Sequence, residues 1–497
     1  MEQITQKYYR HQSIPHSIVA NAQKKTKKSP FRQQYHIEPE TGYLNDPNGF
    51  CFFDGSYHLF YQWSPYRYSE ENIWYQGWYH LRSKDLVSWK SLGPGIEPDT
   101  IFETHGSYSG SGIVVDKELL LFYTGNTRNH INERIPYQMI ASMNSSGTIR
   151  KRNQAEIVGT IPGYTDHFRD PKIWQGNDGY YSIIGAQRSD RTGTALLFFS
   201  TDTFDWHLLG ELETHLKEFG YMWECPDYFE MADQGVFIFS PQGLPADGDH
   251  FNNLYQSGYL IGEKLAKDQL SLKSHSTFTE LDKGFDFYAP QSTTTPDGRR
   301  VLIGWMGMPE TDYPTEEYGY CGCLTIPREL SIQGSRLIQQ PVKEMREYRQ
   351  TKRKITQQQL ATGTLVDSTY EIKLSLKNLT CQSFYIDLCC NENKSEYVRI
   401  SYDPTDKKIR LDRSHSGLVT GKNFGTSRVL LSDVKDEVEL NIFVDVTSVE
   451  VFLNQGQAVG SCRVFPSSEQ SFISGYIHEN SINYFDYWRI DLNPQKS

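Results

Sequence analysis

Between about Gln33 and Gln340 the chain alternates short runs rich in Val, Ile, Phe, Tyr and Trp with clusters of Gly, Pro, Asn and Asp. Helical periodicity of any length is missing there, so the pattern predicts strands and turns. Tight-turn signals with apolar runs on both sides stand at Asp54-Gly55, Asp116-Lys117, Asp178-Gly179, Asp233 to Gly235 and Asp297-Gly298. Counted on the aspartates, they recur at intervals of 62, 62, 55 and 64 residues. Five units of this size, each with room for a four-stranded sheet, are what a five-bladed β-propeller requires. A sandwich with coincidental spacing is the competing reading.

The flanks read differently. Residues 1–32 are polar and basic and predict an extension or short helix packed on the surface. Residues 33–341 form the predicted propeller. The stretch 342–365, beginning VKEMREYRQTKRK, is polar and helix-permissive and reads as a linker. Alternation then returns: Val438, Leu440, Ile442 and Val444 form one row, and Val449, Val451 and Leu453 another. With YEIKLSLKN, YVRISYDP and KKIRLDRS as further strands, 366–497 is expected to be an antiparallel β-sandwich, which makes the whole chain all-β.

Composition narrows the partners. Lys and Arg number 50 against 61 Asp and Glu, a net charge of −11 that argues against nucleic acid and anionic membranes. No run approaches a membrane-spanning helix and the N-terminus has no apolar signal segment, so the expected location is cytoplasmic. The eight cysteines are scattered, which suits reduced thiols. Aromatic residues make up 13% of the chain, enough to serve either a β core or sugar stacking.

The repeat gives three acids a common phase. Asp46 and Asp170 each stand 8 residues before the aspartate of their own turn, and Glu224 stands 9 before Asp233. Equivalent positions in a propeller are related by rotation about its channel, so Asp46, Asp170 and Glu224 are expected to converge. Two carboxyl groups astride a bond are the machinery of glycoside hydrolysis, one ionised and the other protonated. The amides of Asn45 and Asn48 would hold Asp46 ionised, while Tyr221, Met222 and Trp223 would give Glu224 an apolar wall that favours its acid form. Whether Asp170 pairs with Arg169 stays open, since strand neighbours point to opposite faces.

The stretches LNDPNG, FRDP and WECPD resemble the three signature motifs of glycoside hydrolase family 32. Supporting matches are HLFYQ (58–62), SKDLVSW (83–89), YSGSG (108–112), GFDFYAPQ (284–291), IGWMG (303–307), LTIPREL (324–330) and FVDVTSVEVFLN (443–454). The resemblance runs from about 34 to 490 and implies a propeller carrying the site, followed by a β-sandwich. It implies Asp46 as nucleophile, Glu224 as acid/base and Asp170 as transition-state stabiliser. Asn45, Gln62, Trp74, Tyr108, Ser109, Arg169 and Trp305 match sugar-contacting positions, Trp74 being preferred to Trp78. The implied reaction is the retaining hydrolysis of a β-fructofuranosyl bond, of sucrose or sucrose 6-phosphate, with no metal or organic cofactor. Departures are Tyr43-Leu44 before NDPNG, Trp63-Ser64-Pro65 after Gln62, and NIWYQGWYH at 72–80.

Several residues have plainer readings. Cys225 beside Glu224 has no histidine nearby in sequence and reads as a buried thiol rather than a nucleophile. Cys321 and Cys323 lack a second pair for zinc. Arg82, Lys84, Arg128 and Arg134 are all candidates for a phosphate site, and nothing in the sequence selects among them. Hydrolysis of short fructans, fructosyl transfer and non-catalytic fructan binding are the alternatives; oligomeric state is not legible.

Overall fold

The computed structural model describes residues 6–492 apart from 70, 72, 160, 273 and 468–470. The outer ends of the expected extension (1–5) and sandwich (493–497) lie outside the described residues. Strands dominate from Gly42 onward. Five antiparallel sheets of four or five strands follow one another up to Pro341. Their first strands are Gly42–Phe53, Ser107–Val115, Tyr164–Gln175, Met222–Met231 and Tyr288–Thr294.

Each first strand pairs antiparallel with the next strand across one of the expected turns. Two of these turns carry positive φ at both central residues, Asp54 (46°) with Gly55 (69°) and Asp116 (48°) with Lys117 (66°). That is the primed-turn geometry which matches strand twist, and it explains why Asp and Gly stand there. The five first strands lie side by side in chain order, and the fifth also borders the first, so they close a ring. The ring is tied shut by Tyr320–Cys321, which pairs in parallel with Gly42 and Tyr43. Hydrogen bonds also cross the axis: Gln291 donates to the Gly110 carbonyl at 2.7 Å and accepts from the Phe50 N–H at 2.8 Å.

Beyond Pro341 the stretch expected as a linker carries a 3-10 turn, Lys343–Tyr348, and a short helix, Gln357–Thr362. The helix is started by a reciprocal cap between Thr356 and Gln359. Two six-stranded sheets then face each other. Their inner faces pool Ile372, Leu374, Ile386, Leu388, Ile400, Leu411 and Ile473 into one core. Both rows read from the sequence, Val438 to Val444 and Val449 to Leu453, feed that same core, because the two strands are adjacent in one sheet.

Buried charges join the sandwich to the ring. Arg328 reaches Asp282 (3.0 Å) and Glu450 (2.6 Å), and Arg413 reaches Asp286 (2.6 Å). His36 stands between Asp445 (2.9 Å) and Glu450 (3.0 Å). Near the N-terminus, helix His16–Thr26 packs Ile18, Val19 and Ala22 against the core around the first sheet. Gln6 and Lys7 pair in parallel with Ile73 and Trp74.

Candidate active site

All five first strands are broken at the same place. The ladder skips two residues in each: Asn45-Asp46, Tyr108-Ser109, Asp170-Pro171, Cys225-Pro226 and Ala289-Pro290. A bulge of this kind re-aims side chains and interrupts strand alternation. Three of the bulges use a residue with positive φ: Asp170 (68°), Cys225 (46°) and Ala289 (47°). Around the axis, Asn48, Ser109, Asp170, Cys225 and Gln291 line one narrow cavity.

The acids meet at these bulges. Ser109 Oγ donates to Asp46 Oδ2 at 2.5 Å, and Asn45 Nδ2 donates to Asp46 Oδ1 at 3.0 Å. Asn45 also donates to Gln62 Oε1 at 2.9 Å, which in turn accepts from Gln76 Nε2 at 3.2 Å. Cys225 spans two acids: its thiol lies 3.7 Å from Asp46 Oδ2 and 3.6 Å from Asp170 Oδ2, while its N–H donates to Asp170 Oδ2 at 3.0 Å. Glu224 Oε1 accepts from Arg169 Nη2 at 2.6 Å and Nε at 2.9 Å. Its Oε2 accepts from the Tyr288 hydroxyl at 2.6 Å and Gln242 Nε2 at 2.7 Å.

Three electrostatic expectations need correction. Burial pushes the Asp46 carboxyl up, with Glu224 adding to the rise, against the bonds from Ser109 and Asn45. Asn48 does not reach that carboxylate at all; it donates to the Asp46 carbonyl at 2.9 Å. Trp223 packs in the core against Phe237 and Phe239, and the hydrogen-bond partners of Glu224 are all polar: Arg169, Gln242 and Tyr288. Arg169 therefore pairs with Glu224. Asp170, fully buried, is pushed up to about 7 by burial; Arg169 opposes this, and the charges of Glu224 and Asp46 add to it.

The remaining candidates divide between the pocket and the core. Tyr108 accepts from Asn126 Nδ2 at 3.0 Å through its hydroxyl. Trp78 is fully buried against Phe60 and Tyr123, and its indole donates to the Tyr108 carbonyl at 3.0 Å. Trp74 is half-buried, with Lys7 Nζ 4.3 Å over its ring. Trp305 meets Tyr43 and Tyr288 edge-on at 5.9 and 6.4 Å, and its buried indole N–H has no partner. Arg82 and Lys84 lie far from the acids: Lys84 Nζ binds the Gly55 carbonyl at 2.7 Å, at the opposite end of the first strand. Sequence reasoning did not single out Gln76, Gln242 or Tyr288. Tyr288 lies within GFDFYAPQ, and its signal was that shared motif.

Comparison with known proteins fits this arrangement. The description "Glycosyl hydrolases family 32 N-terminal domain" matches residues 36–341, and "Glycosyl hydrolases family 32 C terminal" matches 338–488. The sucrose-6-phosphate hydrolase of Staphylococcus xylosus is 37% identical over 497 residues, covering 98% of each chain. That of Bacillus subtilis (strain 168) is 38% identical over 450 residues, covering 88% of this chain and 89% of the relative. Among solved structures, sucrose-6-phosphate hydrolase from Lactobacillus gasseri superposes with a TM-score of 0.87 at 32% identity, covering 97% and 98% of the two chains. A Bombyx mori GH32 beta-fructofuranosidase in complex with sucrose superposes with a TM-score of 0.81 at 30% identity, covering 97% and 99%. With both halves of the family's architecture matched across almost its whole length, the chain belongs to glycoside hydrolase family 32.

Proposed function

We propose that the protein is a retaining β-fructofuranosidase that hydrolyses sucrose 6-phosphate and sucrose. The substrates are those named for its similar relatives. We read the closed ring as a five-bladed propeller spanning 33–341 and 366–497 as the β-sandwich that braces it. The unpaired state of all eight cysteines suits a cytoplasmic enzyme.

Asp46 attacks the anomeric C2 of the fructosyl unit, forming an ester as the C2–oxygen bond to glucose breaks. Glu224 passes a proton to the departing oxygen. Glu224 then takes a proton from water, which attacks C2 and releases Asp46, so the configuration is retained. Ser109 and Asn45 hold the two oxygens of the nucleophile in place. Arg169, Gln242 and Tyr288 fix both oxygens of the acid/base. Asp170, held by the Cys225 N–H, stabilises the cationic transition state and binds fructosyl hydroxyls. Asp170, buried beside the charges of Glu224 and Asp46, is pushed up to about 7, so the cluster holds a proton near neutral pH. Gln62, Tyr108, Trp74 and Trp305 shape the sugar pocket. No step calls for a metal or organic cofactor.

The observation that carries this reading is the bridging of Asp46 and Asp170 by Cys225, next in sequence to Glu224. Replacing Asp46 with Asn removes the attacking charge without changing shape. Turnover of sucrose 6-phosphate by this variant is expected to fall by at least about a thousandfold. Full turnover would remove Asp46 from the mechanism, and an inverted first product seen by NMR would replace the double displacement with a single one.

A further inference from the structure

At the end of the second sheet that carries Tyr108 and Ser109 stand two arginines without an acid partner among the described residues. Arg128 ends the second strand of the second sheet and pairs in register with Arg134, which opens the third. The ladder extends past Ser107↔Gly125, so both arginines lie at the same end as Tyr108 and Ser109. Among the described residues neither forms an ion pair. Arg128 donates only to the Asn132 carbonyl, at 2.7 Å, and Arg134 keeps a buried Nε without any partner. Nearby, Glu133 is engaged by Asn129 at 2.8 Å and not by either guanidinium.

Arg134 and the acid cluster share His167 as a neighbour. Arg169, which holds Glu224, also donates Nη1 to His167 Nδ1 at 3.1 Å. A guanidinium has only donors, so Nδ1 accepts and the ring proton sits on Nε2. Burial, then the charges of Arg169 and Arg134, pull His167 down to about 4, against Asp166 and Glu224, so the ring is neutral at physiological pH. Nε2–H is then a fixed donor beside Arg134, one residue-link from the group that meets the leaving oxygen.

We propose that Arg134 and Arg128, with the His167 Nε2–H, form the site that recognises a phosphate monoester on the leaving glucose. The assignment rests on reading the acid cluster as a fructosyl hydrolase. It selects two of the four basic candidates the sequence offered and excludes Arg82 and Lys84, which stand at the far end of the first sheet. Paired arginines and a neutral ring donor match the acceptors of a phosphate dianion, whereas the sugar hydroxyl of free sucrose has little use for two unpaired charges.

The test compares wild type, Arg134→Gln, Arg128→Gln, their combination and Arg134→Lys. kcat/KM is measured on sucrose 6-phosphate and sucrose at one ionic strength, and glucose 6-phosphate and glucose binding are measured by calorimetry. Each Gln variant is expected to lower the ratio of kcat/KM for the phosphorylated over the free sugar by roughly ten- to a hundredfold. Glucose 6-phosphate should lose its binding advantage over glucose by the same factor, and the Lys variant should keep part of both. Ratios within twofold of wild type in the double variant would overturn the proposal even if that protein were damaged, because damage lowers both substrates together. A wild type that binds glucose 6-phosphate no better than glucose while cleaving both sugars would also overturn it. A wild type that keeps the binding difference but cleaves neither sugar sinks the hydrolase reading and leaves the phosphate site standing.

Discussion

Arg169→Gln isolates the one positive charge within the acid cluster. The wild-type guanidinium donates twice to Glu224 Oε1, while Tyr288 and Gln242 hold the other oxygen. Glu224 therefore keeps its position when Arg169 is shortened, and the change is mainly electrostatic. Asp170 already stands at about 7: burial raises it, Arg169 opposes that, and the charges of Glu224 and Asp46 raise it further. An opposite charge within 4–6 Å lowers a carboxyl by about 1–3 units, each worth about 1.36 kcal/mol. Removing it lets the coupled carboxyls rise. A raised carboxyl ionises only at higher pH, so the cluster around Asp170 reaches the ionised state that the proposed mechanism uses later in the titration. The acid limb of kcat/KM is expected to move up by about one unit or more, as a property of the cluster rather than of one residue. The assay is the pH profile of kcat/KM on sucrose across the acid and neutral range. Arg169→Lys serves as the control that keeps charge but loses the fork, and should give a limb close to wild type with a reduced kcat. A limb that stays in place or moves down in the Gln variant would refute the idea that Arg169 sets the charge balance.

Tyr288→Phe deletes the 2.6 Å bond to Glu224 Oε2; kcat on sucrose should fall by roughly ten- to a hundredfold with KM much less affected, in steady-state kinetics. His58 and His80 share a 2.9 Å ring–ring hydrogen bond in the first sheet, and burial lowers them to about 4 and about 3, with neighbouring positive charge helping. The unfolded chain then takes up protons that the folded one refuses, so stability should decline as pH falls from about 6.5 towards 4, by on the order of 3 kcal/mol for each ring. Denaturant melts of His80→Leu should show a flatter decline. His36 behaves oppositely: burial would lower it, but bonds to Asp445 and Glu450 hold it up at about 9. Its contribution is complete below about 6.5 and lost as pH rises through about 9, so His36→Gln should remove an alkaline loss of stability of up to roughly 3 kcal/mol.

The ring was legible because its turns are chemically marked. Asp54-Gly55 and Asp116-Lys117 adopt the positive φ that primed turns demand, and a regular spacing of such turns exposes the sheets between them. The junction with the sandwich was not legible. Arg328 reaches partners 46 and 122 residues away, and no local pattern marks a buried charge whose partners come from other sheets. Glu224 misled for the same reason. Its sequence neighbour Trp223 is apolar, but in a strand the adjacent side chain points the other way, so Trp223 packs in the core against Phe237 and Phe239. Its actual environment comes from Arg169, Gln242 and Tyr288, on three strands.

The near-equality of the three acid positions has a structural reason that the spacing alone did not contain. Glu224 is the last residue paired before its bulge, Asp170 is the first residue within its bulge, and Asp46 is the second within its own. In regular strands three successive phases would alternate between faces, and acids offset by one residue could not share a pocket. The two unpaired residues at each bulge abolish that alternation at this level of the ring. Positive φ at Asp170 and Cys225 turns the backbone there, so that the Cys225 N–H reaches the Asp170 carboxylate of the neighbouring sheet. The closed ring therefore brings its five bulges to one level, and the offsets within them give the acids different partners. One is held by Ser109 and Asn45, one by Cys225, and one by Arg169, Gln242 and Tyr288. Identical phases would have produced three like carboxyls in like settings. The one-residue offsets are what let a repeated fold place three carboxyls in three different settings.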